Sequence, residues 1–155
     1  IEHGTGLHAD QIDLLVEKSI ALVPTMIQVD NFPEIAAGAD KYPTYAAHMH
    51  KLHAAAPDTF AAAREAGVAM YAGTDAGGFI EHGRIVDEIE RLAGIGFGAG
   101  GALAAATTEP RRWLGTGILD DGDRADFLVL DDDPRADLST LRRPRAVVCA
   151  GEFVS

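Results

Sequence analysis

The sequence has little of what would place it in a membrane, on a nucleic acid or in a disulfide scaffold. Its apolar runs all stop short of the roughly 20 residues that a membrane-spanning helix needs. Lys and Arg number 13 against 24 Asp and Glu, and the net charge is -11, whereas a nucleic-acid surface needs clustered basic side chains. We therefore expect neither a membrane nor a nucleic acid among its partners.

The single cysteine, Cys149, cannot form an internal disulfide, and it lies in the apolar run AVVCA. This setting predicts a buried, inert thiol in a reducing compartment, and hence a cytoplasmic protein. The first residues, IEHGTG, contain neither an initiator Met nor a signal-peptide pattern. We expect them to lie in the middle of a longer protein, so a signal peptide further upstream stays open.

What is present is the composition of a globular domain, with 155 residues of which 47% are hydrophobic and 24% charged. The helices that periodicity and composition predict lie at 9–19, 42–66, 84–92, 101–107 and 111–114. Between them, the apolar runs 20–24 (IALVP) and 68–72 (VAMYA) predict short buried strands. Strands that alternate with helices in this way indicate a parallel α/β architecture.

Two polar segments and one proline interrupt this pattern. The stretches 28–41 and 73–83 predict loops, and the first is long enough to have a function of its own. Pro57 predicts a break, or a new helix start, inside the second helix.

From about Thr116 the pattern changes to short strands separated by Asp, Pro and Arg turns. The predicted strands lie at 126–130, 145–149 and 152–155. We therefore expect two units, an α/β part over residues 1–115 and a small β element over residues 116–155.

Asp75 is the first residue with a candidate chemical role. It lies in AGTDAGG, directly after the predicted strand VAMYA, and the carboxyl ends of parallel strands are where α/β barrels place their active sites. The flanking glycines, among them Gly77 and Gly78, allow a sharp turn and leave room for a ligand. The alternative is an Asp that only caps the segment after it.

His3 has a similar setting, because IEHG is an apolar stub followed by His and Gly. A lone histidine here is more often structural. However, a His and an Asp at the ends of two parallel strands are expected to converge, and a His nitrogen and an Asp oxygen are both good ligands for Zn²⁺ or a similar ion.

The order of motifs resembles a known family. IEHG, VPT and GTDAGG are followed by ALAAATTEPRRWLG and by the ending GILDDGDRADFLVLDDDP. Together they resemble the amidohydrolase superfamily, most closely its imidazolonepropionase-like and prolidase-like branch, and the resemblance covers essentially the whole chain.

The resemblance implies a (β/α)8 TIM-type barrel with a small β-sandwich built from both chain termini. This chain then corresponds to strands six to eight of the barrel and part of the sandwich. His3 matches the metal-binding His after the sixth strand, and Asp75 matches the Asp after the eighth strand that binds metal and shuttles a proton. The family's remaining ligands would lie upstream, so the missing N-terminal half of the barrel is an expected partner.

The implied reaction is hydrolysis of an amide or a cyclic C–N bond in a dipeptide or an imidazolone-like small molecule. The implied cofactor is a divalent metal, one or two ions, most simply Zn²⁺, whose bound water becomes a nucleophile at neutral pH. Asp75 would act as general base and then as general acid. A homo-oligomer is compatible with these expectations.

Other histidines are also candidate ligands. His82, in FIEHGR, is expected either to contact substrate or support the metal ligands, together with Gly77 and Gly78, or to be a simple loop residue. His48 and His50 imitate an HxH pair, but the sequence around them is helix-forming, and residues two apart on a helix lie about 200° apart.

Three functions remain open at this point. The first is a metal hydrolase whose complete form cleaves a C–N bond, with the isolated chain inactive. The second is a non-catalytic chain that acts as a scaffold or assembly partner. The third is a ring deaminase on the same fold, although GTDAGG fits the hydrolase branch better.

Overall fold

Three short extended segments lie side by side in the computed structural model, which describes residues 1–154. Segment 21–23 lies between segments 1–3 and 69–71, and both pairings are parallel. The pairing hydrogen bonds run from His3 N to Val23 O (2.9 Å), from Leu22 N to Ala69 O (2.8 Å) and from Tyr71 N to Leu22 O (3.0 Å). The two predicted buried runs are therefore neighbours, and they pair through isolated bridges rather than as long strands.

Helices connect and cover these segments. Their bounds are α1 (Ala9–Glu17), α2 (Met26–Val29), α3 (Phe32–Ala37), α4 (Pro43–Glu65), α5 (Ile85–Leu92), α6 (Gly98–Ala106) and α7 (Thr108–Leu114), with a π-helical turn at Ala93–Phe97 between α5 and α6. The alternation of extended segments and helices confirms the predicted α/β architecture.

The core lies between the extended segments and the inner faces of the helices. Its buried members include Leu15 of α1, Leu22 of the central segment, Phe60 of α4 and Leu92 of α5. Burying each of these side chains contributes about 1.5–3 kcal/mol relative to leaving it in water. The core thus fixes the extended segments from the helical side.

Two predictions about residues 28–65 were wrong. The expected loop 28–41 contains the second half of α2 and all of α3, which carries Pro33 in its first turn, where a missing N–H costs nothing. Pro57 lies inside α4 without ending it. Ala56 and Phe60 on either side are buried in the core, so tertiary packing outweighs the local cost of the proline.

The C-terminal part contains the predicted antiparallel β element. Strands β1 (Phe127–Val129), β2 (Ala146–Cys149) and β3 (Glu152–Phe153) form a sheet in the order β1-β2-β3. Residue 155, the last of the predicted third strand, lies outside the described residues. A 3-10 helix, Leu138–Arg142, lies between β1 and β2.

The prediction that Cys149 is buried was wrong. Side chains alternate along a strand, and in β2 it is Val148 that points inward while Cys149 is exposed. Its Sγ accepts a hydrogen bond from Arg124 Nη2 at 3.2 Å.

Within residues 1–154, none of the helices combines the length and the apolar composition that crossing a bilayer requires.

Candidate active site

Three residues at or just beyond the carboxyl ends of the extended segments share an unusual backbone conformation. His3 (φ 65°), Thr25 (φ 46°) and Asp75 (φ 55°) all lie in the left-handed region. This conformation is uncommon for residues other than glycine; His and Asp adopt it more readily than most, and it is most costly for a β-branched residue such as Thr. Backbone strain of this kind clusters at functional sites, and here it occurs at the carboxyl ends of three neighbouring parallel segments.

Two glycines let the outer segments approach the central one closely. A Cβ on Gly4 would lie 2.6 Å from Leu22 Cδ1, and a Cβ on Gly73 would overlap Val23 Cγ1. A larger residue at position 73 would therefore displace Val23 or its own segment, and one at position 4 would displace the Leu22 side chain. The glycine after His3 and the glycine before Asp75 thus hold both site residues at the same edge as Thr25.

The imidazole of His3 is oriented by Thr25. Its Nδ1 lies 2.7 Å from Thr25 Oγ1, and Thr25 is only 3% exposed. A hydrogen bond at one ring nitrogen fixes the ring orientation of a His, and the Thr hydroxyl can make this bond as donor or as acceptor. The exposed His3 therefore has its other nitrogen, Nε2, available for a ligand.

The backbone directly after Thr25 is in turn held by a buried glutamate. The two carboxylate oxygens of Glu88 accept the backbone N–H groups of Met26 (2.9 Å) and Ile27 (3.0 Å). Glu88 is 0% exposed, and burial raises the pKa of its carboxyl above the ordinary value, although the two N–H donors lower it in part.

Thr25 and Glu88 were not predicted as site residues. VPT contributed to the family resemblance, but nothing in the sequence singled out its Thr. The available signal for Glu88 was an acidic residue among the apolar positions Val86, Ile89 and Leu92 of α5, where an unpaired charge would be costly.

Asp75 lies in a tight turn that does not depend on its own side chain. Thr74 Oγ1 accepts the Ala76 N–H at 3.3 Å, and Gly77 N donates to Ile80 O at 3.0 Å. The next helix, α5, begins only at Ile85, so Asp75 is not the N-cap of a helix. Its carboxylate is exposed at the same edge as His3.

The structure brings His82 to this loop. A Cβ on Gly77 would lie 3.9 Å from both Cε1 and Nε2 of the His82 imidazole. His82 thus packs beside the backbone two residues after Asp75, while Gly78 lies exposed in the turn between them. His48 and His50 lie exposed on α4, as the sequence predicted.

The donors described here suit a divalent cation but do not complete a site. Within residues 1–154, no group of three or more His, Cys, Asp or Glu side chains is arranged to hold a metal. An imidazole nitrogen and a carboxylate oxygen are ligands that Zn²⁺ accepts, and a catalytic zinc usually has about three protein ligands. His3 and Asp75 fit as two members of a larger set.

Comparison with known proteins identifies the family. The model of the amidohydrolase family matches residues 1–154, so the chain belongs to the amidohydrolase family. An uncharacterized protein of Mycobacterium tuberculosis is 54% identical over 151 residues, which make up 97% of this chain and 41% of that protein.

Solved structures show the same fold. The crystal structure of a Xaa-Pro dipeptidase with bound methionine in its active site matches with a TM-score of 0.87 and 28% identity, over 100% of this chain and 39% of that chain. A prolidase complexed with N-methylphosphonate-L-proline matches with a TM-score of 0.81 and 25% identity, over 100% of this chain and 40% of that chain.

The chain therefore has an α/β amidohydrolase fold that resembles prolidases, as its motifs predicted, and it spans about two fifths of the length of the proteins it matches. The family and its prolidase-like neighbours support a hydrolase.

Proposed function

We propose that this chain supplies the C-terminal part of a metal-dependent amidohydrolase that hydrolyses a C–N bond. In this proposal segments 1–3, 21–23 and 69–71 are strands six to eight of a (β/α)8 barrel. Residues 1–115 belong to the barrel and residues 116–155 to a small β-sandwich. The remaining ligands come from the rest of the full-length protein, which corresponds to the part of the relatives that this chain does not match.

One observation carries the proposal. His3 ends one outer segment and Asp75 follows the other, both with left-handed backbones, and His3 Nδ1 is engaged by Thr25 so that Nε2 is available. In α/β barrels the edge formed by these carboxyl ends is where the active site lies. A His and an Asp placed there are better suited to binding a cation than to stabilising the fold.

Each residue then has a defined task. A divalent cation bound at this edge would lower the pKa of a water molecule towards ~7 and polarise the scissile carbonyl. His3 Nε2 and a carboxylate oxygen of Asp75 would hold it. Asp75 would accept the proton of the attacking water and deliver it to the leaving nitrogen. Gly77, Gly78 and His82, in the loop after Asp75, would face the substrate.

A dipeptide is the substrate class that we propose. The structural neighbours include a Xaa-Pro dipeptidase and a prolidase holding a phosphonate derivative of proline. In such a substrate the leaving group is the nitrogen of the C-terminal residue, to which Asp75 would deliver its proton. An imidazolone-like ring remains the second substrate class to be assayed.

The experiment uses the full-length enzyme that contains this segment, loaded with Zn²⁺ or Mn²⁺. Hydrolysis of Ala-Pro, Ala-Ala and an imidazolone is assayed before and after chelation, with the Asp75→Asn variant as control. We expect dipeptide hydrolysis that chelation abolishes and metal restores. Folded, metal-loaded protein that is inactive on all substrates would favour a scaffold, and activity that survives exhaustive chelation would contradict metal dependence.

A further inference from the structure

We propose that Glu88 is a positioning residue for His3, acting through the first turn of α2 and through Thr25. The inference rests on the proposed function, because it assigns a purpose to the orientation of the His3 imidazole. It adds a residue from α5 that touches neither substrate nor metal but sets the geometry of one ligand.

Glu88 is held in a way that requires an explanation. Both oxygens are used by backbone amides, at 2.9 Å and 3.0 Å, and the side chain is completely buried. Burying a carboxyl group is costly unless its partners compensate for the lost water. Among the described residues, no Lys or Arg forms an ion pair with Glu88. Its contacts therefore fix backbone geometry rather than pair two charges.

The segment that Glu88 holds is not stable by itself. Helix α2 has only four residues, from Met26 to Val29, and so short a helix does not form without tertiary contacts. Its first N–H groups have no partner within the helix. Glu88 satisfies two of them, and it thereby fixes where α2 begins relative to α5.

Fixing the start of α2 also fixes Thr25. Thr25 directly precedes Met26 and has a left-handed backbone at φ 46° and ψ 50°. A β-branched residue keeps this conformation only where its surroundings impose it. With Thr25 held in this way, its Oγ1 lies 2.7 Å from His3 Nδ1. The contacts thus run without a gap from Glu88 to the imidazole.

The test compares variants of the full-length enzyme containing this segment. Glu88→Gln keeps the shape, but its amide group can accept only one of the two N–H groups. Thr25→Val keeps the volume but removes the hydroxyl. The double variant completes a cycle, and Glu90→Gln, on the exposed face of the same helix, is the matched control. Two quantities are measured, the zinc dissociation constant and the ¹⁵N chemical shifts of the His3 ring in metal-free protein.

We expect Glu88→Gln and Thr25→Val each to weaken zinc binding by about tenfold, the lower end of the range for residues that orient a metal ligand. Both should change the Nδ1 and Nε2 shifts of His3 in the same direction. The double variant should bind zinc no more weakly than the weaker single variant, because the two residues act in series. Glu90→Gln should change neither quantity.

Several outcomes would overturn the inference. One is a Glu88→Gln variant whose His3 ring has unchanged ¹⁵N shifts. Another is a double variant whose loss of zinc affinity equals the product of the losses in the two single variants. If Glu88→Gln does not fold, Glu88→Asp replaces it, because the shorter carboxylate reaches only one N–H, and the same two results decide. A wild-type enzyme that binds no zinc would instead remove the proposed function, and the metal-free ring shifts would still decide the role of Glu88.

Discussion

Asp75 is exposed in a turn that other groups hold together. The Thr74 hydroxyl accepts the Ala76 N–H, and the backbone bond from Gly77 to Ile80 closes the loop. A carboxylate that stabilised this turn would be expected to accept such N–H groups itself. Because the turn is satisfied without it, the fold should tolerate its neutralisation, and catalysis should not.

We therefore expect Asp75→Asn in the full-length enzyme to reduce kcat by at least ~100-fold, the effect of removing a general acid and base. The amide keeps the shape and coordinates weakly, but it cannot take up a proton. Stability should change by no more than about 0.5 kcal/mol, as for a surface substitution. The measurements are steady-state kinetics and thermal unfolding, and near-normal turnover would assign Asp75 a structural role.

His3 and His82 should differ in their effect on metal content. His3→Ala should lower both bound zinc and activity, since it removes a proposed ligand. His82→Ala should leave bound zinc unchanged and alter kcat or KM, because its imidazole packs beside Gly77. Elemental analysis of the purified variants measures the difference. Loss of zinc in His82→Ala, with zinc retained in His3→Ala, would reverse the assignment.

At the residue scale, the sequence pointed to His3 and Asp75 because each follows a short apolar run and lies within two residues of a glycine. The structure places both at one edge. It adds Thr25 and Glu88, whose relation to His3 depends on contacts across more than twenty and more than sixty positions of the chain. Hydrophobic periodicity reports only on residues close together in the sequence, so it could not predict these long-range contacts.

Among the elements, the three extended segments depend on close backbone packing at their ends. Gly73 lies where a side chain would overlap Val23 Cγ1. We expect Gly73→Ala to destabilise the full-length enzyme by about 1–3 kcal/mol, the usual cost of overpacking.

Val23→Ala should relieve part of this cost in the double variant, because it removes the atom that the new methyl group meets. Gly78→Ala is the control, since nothing lies within 4 Å of a Cβ at that position. Chemical denaturation measures the stability of the wild type, the two single variants, the double variant and the control. A Gly73→Ala variant as stable as the wild type would show that the segments are not tightly packed here.

An ion pair attaches the C-terminal part to α5. Arg142 Nη1 lies 2.6 Å from Asp87 Oδ1, and Arg84 also donates to Asp87. Burial raises the pKa of Asp87, but the hydrogen bonds from Arg84 and Arg142 outweigh it and leave that pKa below its ordinary value.

A carboxyl whose pKa is lower in the folded state stabilises the fold above its unfolded pKa of about 3.9, and this contribution is lost as the pH falls through the folded pKa. We expect Asp87→Asn to cost about 1 kcal/mol at pH 7 and progressively less below about pH 4. The control is Asp131→Asn, whose carboxylate is 70% exposed. Urea denaturation from pH 7 to pH 3 measures both, and a cost that grows on acidification would contradict the account.

At the element scale, the sequence predicted the helices before and after the central segment and the three C-terminal strands, because each has a clear period. It failed at α2, α3 and Pro57. Helix α2 is stabilised by Glu88 and α4 continues through Pro57 because Ala56 and Phe60 are buried. In these cases tertiary contacts decided against local propensity.

At the scale of the whole molecule, the row of extended segments and the C-terminal sheet each end in an unpaired edge. Among residues 1–154, segment 1–3 pairs only with segment 21–23, and β3 pairs only with β2. Phe153, on β3, is 78% exposed. Unpaired strand edges and exposed apolar side chains template association with other chains. We expect the remainder of the proposed barrel and sandwich to cover these surfaces.

The 155-residue chain alone should therefore have no hydrolase activity and should aggregate or self-associate. It offers two of the proposed metal ligands, His3 and Asp75, where a catalytic zinc usually has about three protein ligands, so its affinity for the ion should be weak. Light scattering and elemental analysis of the purified chain measure both properties.

The most direct test of the central claim, that His3 and Asp75 are part of a metal site completed by the rest of the barrel, is reconstitution. The chain is co-purified with the N-terminal portion of the full-length protein, and bound zinc and Ala-Pro hydrolysis are measured for each part and for the complex. We predict zinc binding and hydrolysis in the complex only, both lost when the chain carries His3→Ala. A monomeric chain that by itself binds zinc stoichiometrically and cleaves the dipeptide would contradict the account.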